Sequence, residues 1–347
     1  MKKLIGLFLL LMITCTADAQ LEEMTKAVRD GNYKGIHSIL VSKAGQTIYA
    51  QYFNGYTADS LHDSRSSFKS VTSLLLGIAI DQRLIKDVNE KVYTFFPEDT
   101  AFTHDPLKRM ITIKDLLEMR SGFDCDEWTD DGKDCESAMT QSNDWLKFAL
   151  ALSMKNKPGK VWNYTSCDPM IVGGIIRKAA GMSIVDFAAK YLFEPMGITH
   201  YQWTVDPAGQ GMTAGSFYIL PGDMLKIGQM VLANGSYNGR QIISESWLKV
   251  STAAFIPIPD NCSFIKFSRS KTAVPQQTYY GYYWYNEVVR KKQGDYPVIF
   301  ASGNGGQYIM VIKKINMVVV FTQGNYESWT AKRAFDILAT YIIPAYQ

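Results

Sequence analysis

Strand-like segments lie at both ends of this chain, and helical segments lie between them. Near the N-terminus, IHSILVSKAGQTIYAQYF alternates around Lys43-Ala44-Gly45, which is typical of a β-hairpin. After about residue 279, the segments YYGYYWYNEVVR, YPVIFASG, GQYIMVIKK and NMVVVFTQG have the pattern of successive antiparallel strands, and WTAKRAFDILATYIIPA has helical spacing. Because strands from the two ends can share one sheet, we predict an α+β fold. In it, an antiparallel sheet of N- and C-terminal strands is flanked by helices, with a mainly helical region inserted over roughly 85–275.

The inserted region consists of amphipathic or buried helical patterns. ITIKDLLEMRSG places Thr112 as a helix cap and Gly122 at the end of the segment. SNDWLKFALALSM, PMIVGGIIRKAAG, SIVDFAAKYLFEPMG and PGDMLKIGQMVLANG follow. A cleft between the sheet and this region is the natural place for a binding site.

The first nineteen residues are predicted to be a signal peptide rather than part of the fold. Lys2 and Lys3 precede an apolar stretch, and small residues up to Ala19 form a cleavage site. A lipid anchor on Cys15 is the alternative. Cleavage after Ala19 leaves residues 20–347 as one domain, periplasmic or secreted, with no membrane span.

The charged and metal-binding residue types exclude several functions. A formal net charge of +3 is too small to indicate a nucleic-acid partner. The chain has four histidines, far apart and without ligand spacing, so we expect no metal site. We also expect no cofactor. The oligomeric state is left open.

Export makes disulfides possible. Cys125 and Cys135 flank the polar loop DCDEWTDDGKDC, so a bridge between them is the first choice among three full pairings with Cys167 and Cys262. Four free thiols are the alternative. The acids of this loop do not match a calcium-binding pattern, so the loop is expected to be solvated.

A lysine and several serines precede an unusually apolar helix in RSSFKSVTSLLLGIAI. Ser66-Ser67-Phe68-Lys69 matches S-x-x-K, in which a serine and a lysine three apart share a helix face. Desolvation and the helix dipole are expected to lower the pKa of Lys69, so that a neutral amine accepts the serine proton. The alternative is an ordinary helix start with a lysine reaching solvent. The same pattern also begins at Ser246, Ser263 and Ser268.

Two further segments carry candidate catalytic groups. Tyr164-Thr165-Ser166 gives Y-x-S before a helix, where a tyrosine can relay a proton; the alternative is a packed aromatic residue. In ASGNGGQ at 301–307, clustered glycines let a substrate approach the backbone, and N–H groups there and at Ser66 can form an oxyanion hole. The alternative is a simple hairpin turn.

In this order and spacing, the three segments resemble those of the serine β-lactamase and penicillin-recognising superfamily. The similarity is greater to its class C-like branch of esterases, D-amino-peptide hydrolases and 6-aminohexanoate-dimer hydrolases. The resemblance implies the β-lactamase-like fold, with Ser66 as nucleophile, Lys69 as general base and Tyr164 as proton shuttle. It also implies that Ser166, Ser302, Gly303 and Asn304 bind the substrate or the oxyanion.

The chain departs from the superfamily pattern at one position. Ala301 stands where members of the superfamily usually have a Lys or His that binds a substrate carboxylate. This absence argues against efficient β-lactamase or carboxypeptidase action, unless Arg290 or Lys292 supplies the cation instead. The aromatic residues Tyr280, Tyr282, Tyr283 and Trp284 are expected to line an acyl pocket or to pack in the sheet core.

The first hypothesis is therefore an exported serine hydrolase that cleaves a small ester or amide. The alternatives are action on cell-wall peptides or β-lactams, and a catalytically silent binding or sensor domain.

Overall fold

The structure is a computed structural model that describes residues 17–262 and 277–346. Most of the predicted signal peptide, and the S-x-x-K matches at Ser263 and Ser268, lie outside these residues. Within them, no helix combines the length and the apolar character needed to cross a bilayer.

Helices and strands follow in the predicted order, except that a first helix, which the sequence analysis did not predict, precedes the first strand. The helices are α1 (residues 17–29), α2 (Phe68–Asp81), α3 (Thr100–His104), α4 (Ile113–Leu117), α5 (Glu136–Thr140), α6 (Trp145–Ala151), α7 (Cys167–Ala180), α8 (Ile184–Ala188), α9 (Pro221–Leu232), α10 (Glu245–Ser251), α11 (Ala334–Ile337) and α12 (Ile343–Ala345). The strands are β1 (Ile36–Lys43), β2 (Gln46–Tyr52), β3 (His62–Asp63), β4 (Tyr201–Trp203), β5 (Phe217–Ile219), β6 (Ser236–Tyr237), β7 (Arg240–Gln241), β8 (Ile256–Pro257), β9 (Tyr279–Tyr280), β10 (Tyr285–Lys291), β11 (Gly294–Gly303), β12 (Gln307–Ile312) and β13 (Met317–Gln323).

Strands from both ends of the chain form one sheet. Its order in the described residues is β2-β1-β13-β12-β11-β10-β9-β8, and every pair is antiparallel. The N-terminal hairpin joins the C-terminal strands through β1 and β13, where Leu40 lies opposite Val320. The predicted α+β fold, with its shared sheet and inserted helical region, is confirmed.

Helices cover both faces of this sheet. On one face, Gly228 of α9 lies so close to Val318 and Ile309 that a Cβ there would overlap their side chains. On the other face, Phe335 of α11 packs edge-on against the ring of Tyr308. Tyr308 and Ile309 are neighbours on β12, so their side chains point to opposite faces. The sheet is therefore a buried layer between helices.

Helix α2 is buried from Phe68 to Ala79, which explains its apolar sequence. Its Gly77 faces the Trp247 ring of α10 at a distance that leaves no room for a Cβ. Thr112 caps α4 in a capping box with Asp115, as the sequence predicts. The burial of α2 and its close contact with α10 place this helix inside the core of the protein.

Candidate active site

The candidate nucleophile lies on a tight turn between β3 and α2. Residues Arg65–Ser67 form one turn of 3-10 helix that leads directly into α2. Arg65 has a φ of 48°, a left-handed conformation that is uncommon for a residue other than glycine. Asp63 holds this turn, since it accepts a hydrogen bond from the Arg65 N–H at 2.9 Å and pairs with the guanidinium.

The structure brings Ser66 and Lys69 together. Lys69 Nζ donates hydrogen bonds to Ser66 Oγ at 3.0 Å and to the Ala214 carbonyl at 2.9 Å. Ser66 is partly exposed, whereas the Lys69 side chain is buried, with 1% of its surface exposed. A buried ammonium or amine held against a serine hydroxyl is an arrangement that can exchange a proton with that hydroxyl.

Tyr164 completes the group around the serine. Its ring lies 5.0 Å from Lys69 Nζ, and its buried hydroxyl has no hydrogen-bond partner among the described residues. Buried polar atoms are normally paired, so an orphaned hydroxyl beside a serine and a lysine is available to a reacting group. Its neighbour Ser166 is fully buried instead and bonds to Glu127.

The loop between Cys125 and Cys135 holds the Tyr164 segment. The Glu127 N–H donates to the Tyr164 carbonyl at 2.8 Å. The two Glu127 carboxylate oxygens accept from the Ser166 N–H at 2.5 Å and from Ser166 Oγ at 3.0 Å. The Trp128 ring stacks on the Tyr164 ring with centroids 4.1 Å apart. This loop is therefore packed against the site, and its predicted solvation is wrong for Glu127 and Trp128.

A disulfide joins Cys125 to Cys135, whose Cα atoms are 5.9 Å apart. It closes the base of the loop that carries Glu127 and Trp128. Cys167, one residue past the Tyr164 motif, is a buried free thiol. Burial, the main cause, raises the pKa of this thiol and keeps it protonated.

The glycine-rich turn lies against the nucleophile turn. Gly303, the last residue of β11, is so close to the Ser64 carbonyl oxygen that a Cβ built on it would lie 2.3 Å from that atom. Asn304 follows, and its Oδ1 accepts a hydrogen bond from the Glu327 N–H at 2.9 Å. The backbone of residues 303–304 is thus placed beside Ser66, where amide groups can receive an oxyanion.

One cavity of about 660 Å³ contains most of these groups. Its lining includes Ser66, Glu127, Trp128, Tyr164, Ser302, Gly303 and Asn304. Ser166 and Lys69 lie just outside the lining, each bonded to a residue that belongs to it. A slightly larger cavity of about 750 Å³ opens elsewhere, between Asp144 and Arg177. We take the first cavity as the candidate active site because Ser66, the hydrogen-bond partner of Lys69, lines it.

The expected lowering of the Lys69 pKa is wrong for the structure without a bound ligand. Burial does lower this pKa, but Tyr164, Glu136 and Glu127 together outweigh burial and raise it above the ordinary value. The sequence alone does not show that Glu127 and Glu136 lie close enough to act on Lys69. Burial raises the pKa of Tyr164, so both groups hold their protons at neutral pH.

The aromatic residues at 280–284 pack in the core, which is one of the two alternatives that the sequence leaves open. Tyr280, Tyr283 and Trp284 are fully buried and take no part in the cavity lining, so they are core residues. Tyr282 is likewise buried and packs on Trp247.

Arg290 does not replace the missing cation. It pairs in register with Asp295, at the opposite end of β11 from Gly303, and Lys292 lies in the turn just beyond it. Ala301 itself is fully buried opposite Ile309. The position of the usual cation is thus filled by a small core residue.

Glu127 and Trp128 are the site residues that the sequence did not reveal. They occur in a polar loop whose acids look alike, and no spacing marks one of them as different. The flanking cysteines were the one available signal, because a bridge between them restrains the loop.

The fold and this cavity define a class, the serine hydrolases of β-lactamase fold, and comparison with known proteins supports the same class. The family model described as Beta-lactamase matches residues 24–340, which is most of the chain. The chain therefore belongs to the Beta-lactamase family.

Individual relatives are distant. A 6-aminohexanoate-dimer hydrolase of Paenarthrobacter ureafaciens is 22% identical over 218 residues, a match that covers 59% of this chain and 54% of that protein. The structure of EstCE1, a hydrolase with promiscuous acyltransferase activity, superposes with a TM-score of 0.70 at 14% identity, covering 97% of this chain and 100% of EstCE1. An octameric penicillin-binding protein homologue from Pyrococcus abyssi gives a TM-score of 0.67 at 19% identity, covering 92% and 77% of the two chains. At these low identities, the similarities to the two solved structures show a shared fold alone.

Proposed function

We propose that this chain is an exported serine hydrolase that cleaves a small ester or amide through an acyl-enzyme on Ser66. The observation that carries the proposal is the 3.0 Å hydrogen bond between Lys69 Nζ and Ser66 Oγ, at the edge of the 660 Å³ cavity. In this role Lys69 is the general base, and Tyr164 passes the proton to the leaving group. The N–H groups of Ser66 and Asn304 hold the oxyanion.

The charge of the cavity supports a neutral substrate over one that carries a carboxylate. Four of the described lining residues are acids, namely Glu127, Asp134, Glu136 and Glu327, and none of the described lining residues is Lys or Arg. A substrate carboxylate would be repelled there and would find no cationic partner. The buried Ala301 agrees with this preference. Two of the similar proteins are named as hydrolases, the 6-aminohexanoate-dimer hydrolase and EstCE1.

Fluorophosphonate labelling tests the nucleophile. We expect the probe to add to the wild-type protein on the peptide that contains Ser66, and the Ser66→Ala variant to remain unlabelled. Ser246→Ala is the matched control, because Ser246 begins another S-x-x-K match but lies on α10, away from the cavity. A label on any other residue, or no label, would refute the proposal.

A substrate panel tests the substrate class. The wild-type protein should turn over a short-chain nitrophenyl ester or a neutral linear amide faster than a chromogenic cephalosporin, which carries a carboxylate. The reverse order would contradict our interpretation of the acidic cavity and of Ala301. Sequencing the N-terminus of the secreted protein tests export, since cleavage is expected after Ala19.

A further inference from the structure

Glu127 is joined to the Tyr164 segment by three hydrogen bonds. Its backbone N–H bonds to the Tyr164 carbonyl, and its two carboxylate oxygens accept from the N–H and the Oγ of Ser166. Ser166 is the residue that precedes α7, so the carboxylate also covers the positive end of that helix. The carboxyl group meanwhile lines the cavity that Ser66 lines.

Several titratable groups surround this carboxylate. Lys69 of α2 is the cation whose charge lowers the Glu127 pKa, and Glu136 at the start of α5 is an acid whose charge raises it. Tyr164, Cys167 and Asp168 face it from the segment that leads into α7.

Burial, the largest effect, raises the pKa of Glu127 to about 7, and Glu136 adds to the rise. The charge of Lys69 and the two hydrogen bonds from Ser166 oppose it. Burial also raises the pKa of Tyr164, Cys167 and Asp168, and these three are fully buried.

The number of protons in this cluster decides whether the serine has a base. With Glu127 protonated, Lys69 an ammonium and Tyr164 a phenol, none of the three can accept the Ser66 proton. When Glu127 ionises, the cluster holds one proton fewer. Redistribution of one proton from Lys69 to Glu127 then leaves a neutral amine hydrogen-bonded to Ser66 Oγ. Two arrangements of the same number of protons therefore coexist, and the minor one, with neutral Lys69 and protonated Glu127, is the form that can react.

We propose that Glu127 is a positioning residue that holds the Tyr164 segment through Ser166 and, when ionised, provides the place to which Lys69 gives up its proton. This inference rests on the proposed function, because it needs Lys69 to act as the base for Ser66.

The step balances in protons and bonds. The Lys69 ammonium loses one proton and the Glu127 carboxylate, whose charge acts on it, gains one. The Ser66 Oγ bonds to the acyl carbon while its proton passes to the neutral amine. The bond from the acyl carbon to the leaving group breaks, and the leaving group departs with that proton.

The Glu127→Gln variant tests this role, because glutamine keeps the shape and can still bond to both Ser166 groups. We expect the wild-type kcat/KM to rise with pH through an acid limb near pH 7, the pKa of Glu127. In Glu127→Gln the limb should move to alkaline pH by more than about one unit. Because the reacting form holds a neutral Glu127, the rate at and below pH 7 should stay within about twofold of the wild type, and at higher pH the variant should exceed it. An acid limb that stays in place would overturn the proposal. A loss that is equal at every pH would reduce Glu127 to a structural role and overturn it as well.

Glu136→Gln is the matched control, because it removes a carboxylate from the same cavity wall. Among the described residues, no hydrogen bond joins the Glu136 side chain to the Tyr164 segment. Glu136 raises the pKa of Glu127, so its removal should move the acid limb slightly towards lower pH, opposite to the effect of Glu127→Gln. Shifts in the same direction for both variants would point to a general change of cavity charge and would contradict the specific role.

The two proposals fail in different ways. If Ser66 takes the fluorophosphonate label but the acid limb ignores Glu127→Gln, only the role of Glu127 fails. If Ser66 is never labelled, the proposed function itself fails.

Discussion

The contact between Gly303 and the nucleophile turn gives the sharpest prediction, for the variant Gly303→Ala. The new Cβ would lie 2.3 Å from the Ser64 carbonyl oxygen and 3.1 Å from the Cβ atoms of Arg65 and Gln307. An ordinary carbon–oxygen contact is about 3.3 Å, so β11 and the turn must separate by about 1 Å. The obstacle is backbone, which cannot rotate away as a side chain can.

This displacement has two measurable consequences. Forcing a methyl group into a packed contact destabilises a protein by about 1–3 kcal/mol. The same shift moves the amide groups of Ser66 and Asn304 apart by about 1 Å, and a misplacement of that size lowers rates about 100-fold. We therefore expect a modest loss of stability and a large loss of kcat/KM.

Urea unfolding and turnover of a nitrophenyl ester measure the two effects on one protein sample. Gly222→Ala is the matched control, since Gly222 in α9 has nothing within 4 Å of a built Cβ and should keep full activity. In a helix, this change is expected to stabilise by about 0.5–1 kcal/mol. If Gly303→Ala were destabilised but retained wild-type turnover, the proposed oxyanion geometry would be wrong.

Three further changes test the groups around the site and the core. Tyr164→Phe keeps the ring stacked on Trp128 and removes a hydroxyl that has no hydrogen-bond partner among the described residues, so the free energy of unfolding in urea should change by less than about 0.5 kcal/mol. The kcat should fall about 10²–10⁴-fold, and undiminished turnover would contradict the proton relay. Replacing both Cys125 and Cys135 by Ser should lower the free energy of unfolding by about 2–3 kcal/mol, and titration of both thiols in the unreduced wild type would contradict the bridge. Lys332→Met leaves the buried Glu287 carboxylate without the ammonium 2.5 Å away and should destabilise by about 3–5 kcal/mol in thermal or urea unfolding. Adding Glu287→Gln to it should recover most of that loss, and an equal loss in the double variant would argue against a charge effect.

The sequence was a good guide where a local pattern determines the structure. Alternating residues marked the strands, Thr112 marked a helix cap, and the spacing of Ser66 and Lys69 brought them to one helix face. These features depend on neighbours a few residues away along the chain.

Features that depend on distant segments could not be predicted in the same way. The sequence places Lys69 at a buried helix start, which alone lowers its pKa, but the acids that raise it come from a loop some sixty residues later. Glu127 looks like the other acids of that loop until the fold sets it against Ser166. The aromatic residues at 280–284 are core residues because β9 and β10 turn them inward, which their composition does not reveal.

The most direct test of the account is to trap the acyl-enzyme during turnover. An ester that is cleaved slowly enough is mixed with the protein, quenched in acid within the first turnovers, and the digested protein is analysed by mass spectrometry. We predict that the mass of the acyl group appears on the peptide that contains Ser66, and that it is absent from Ser66→Ala. Hydrolysis that proceeds at the same rate in Ser66→Ala, or an acyl group attached to a different residue, would contradict the central claim.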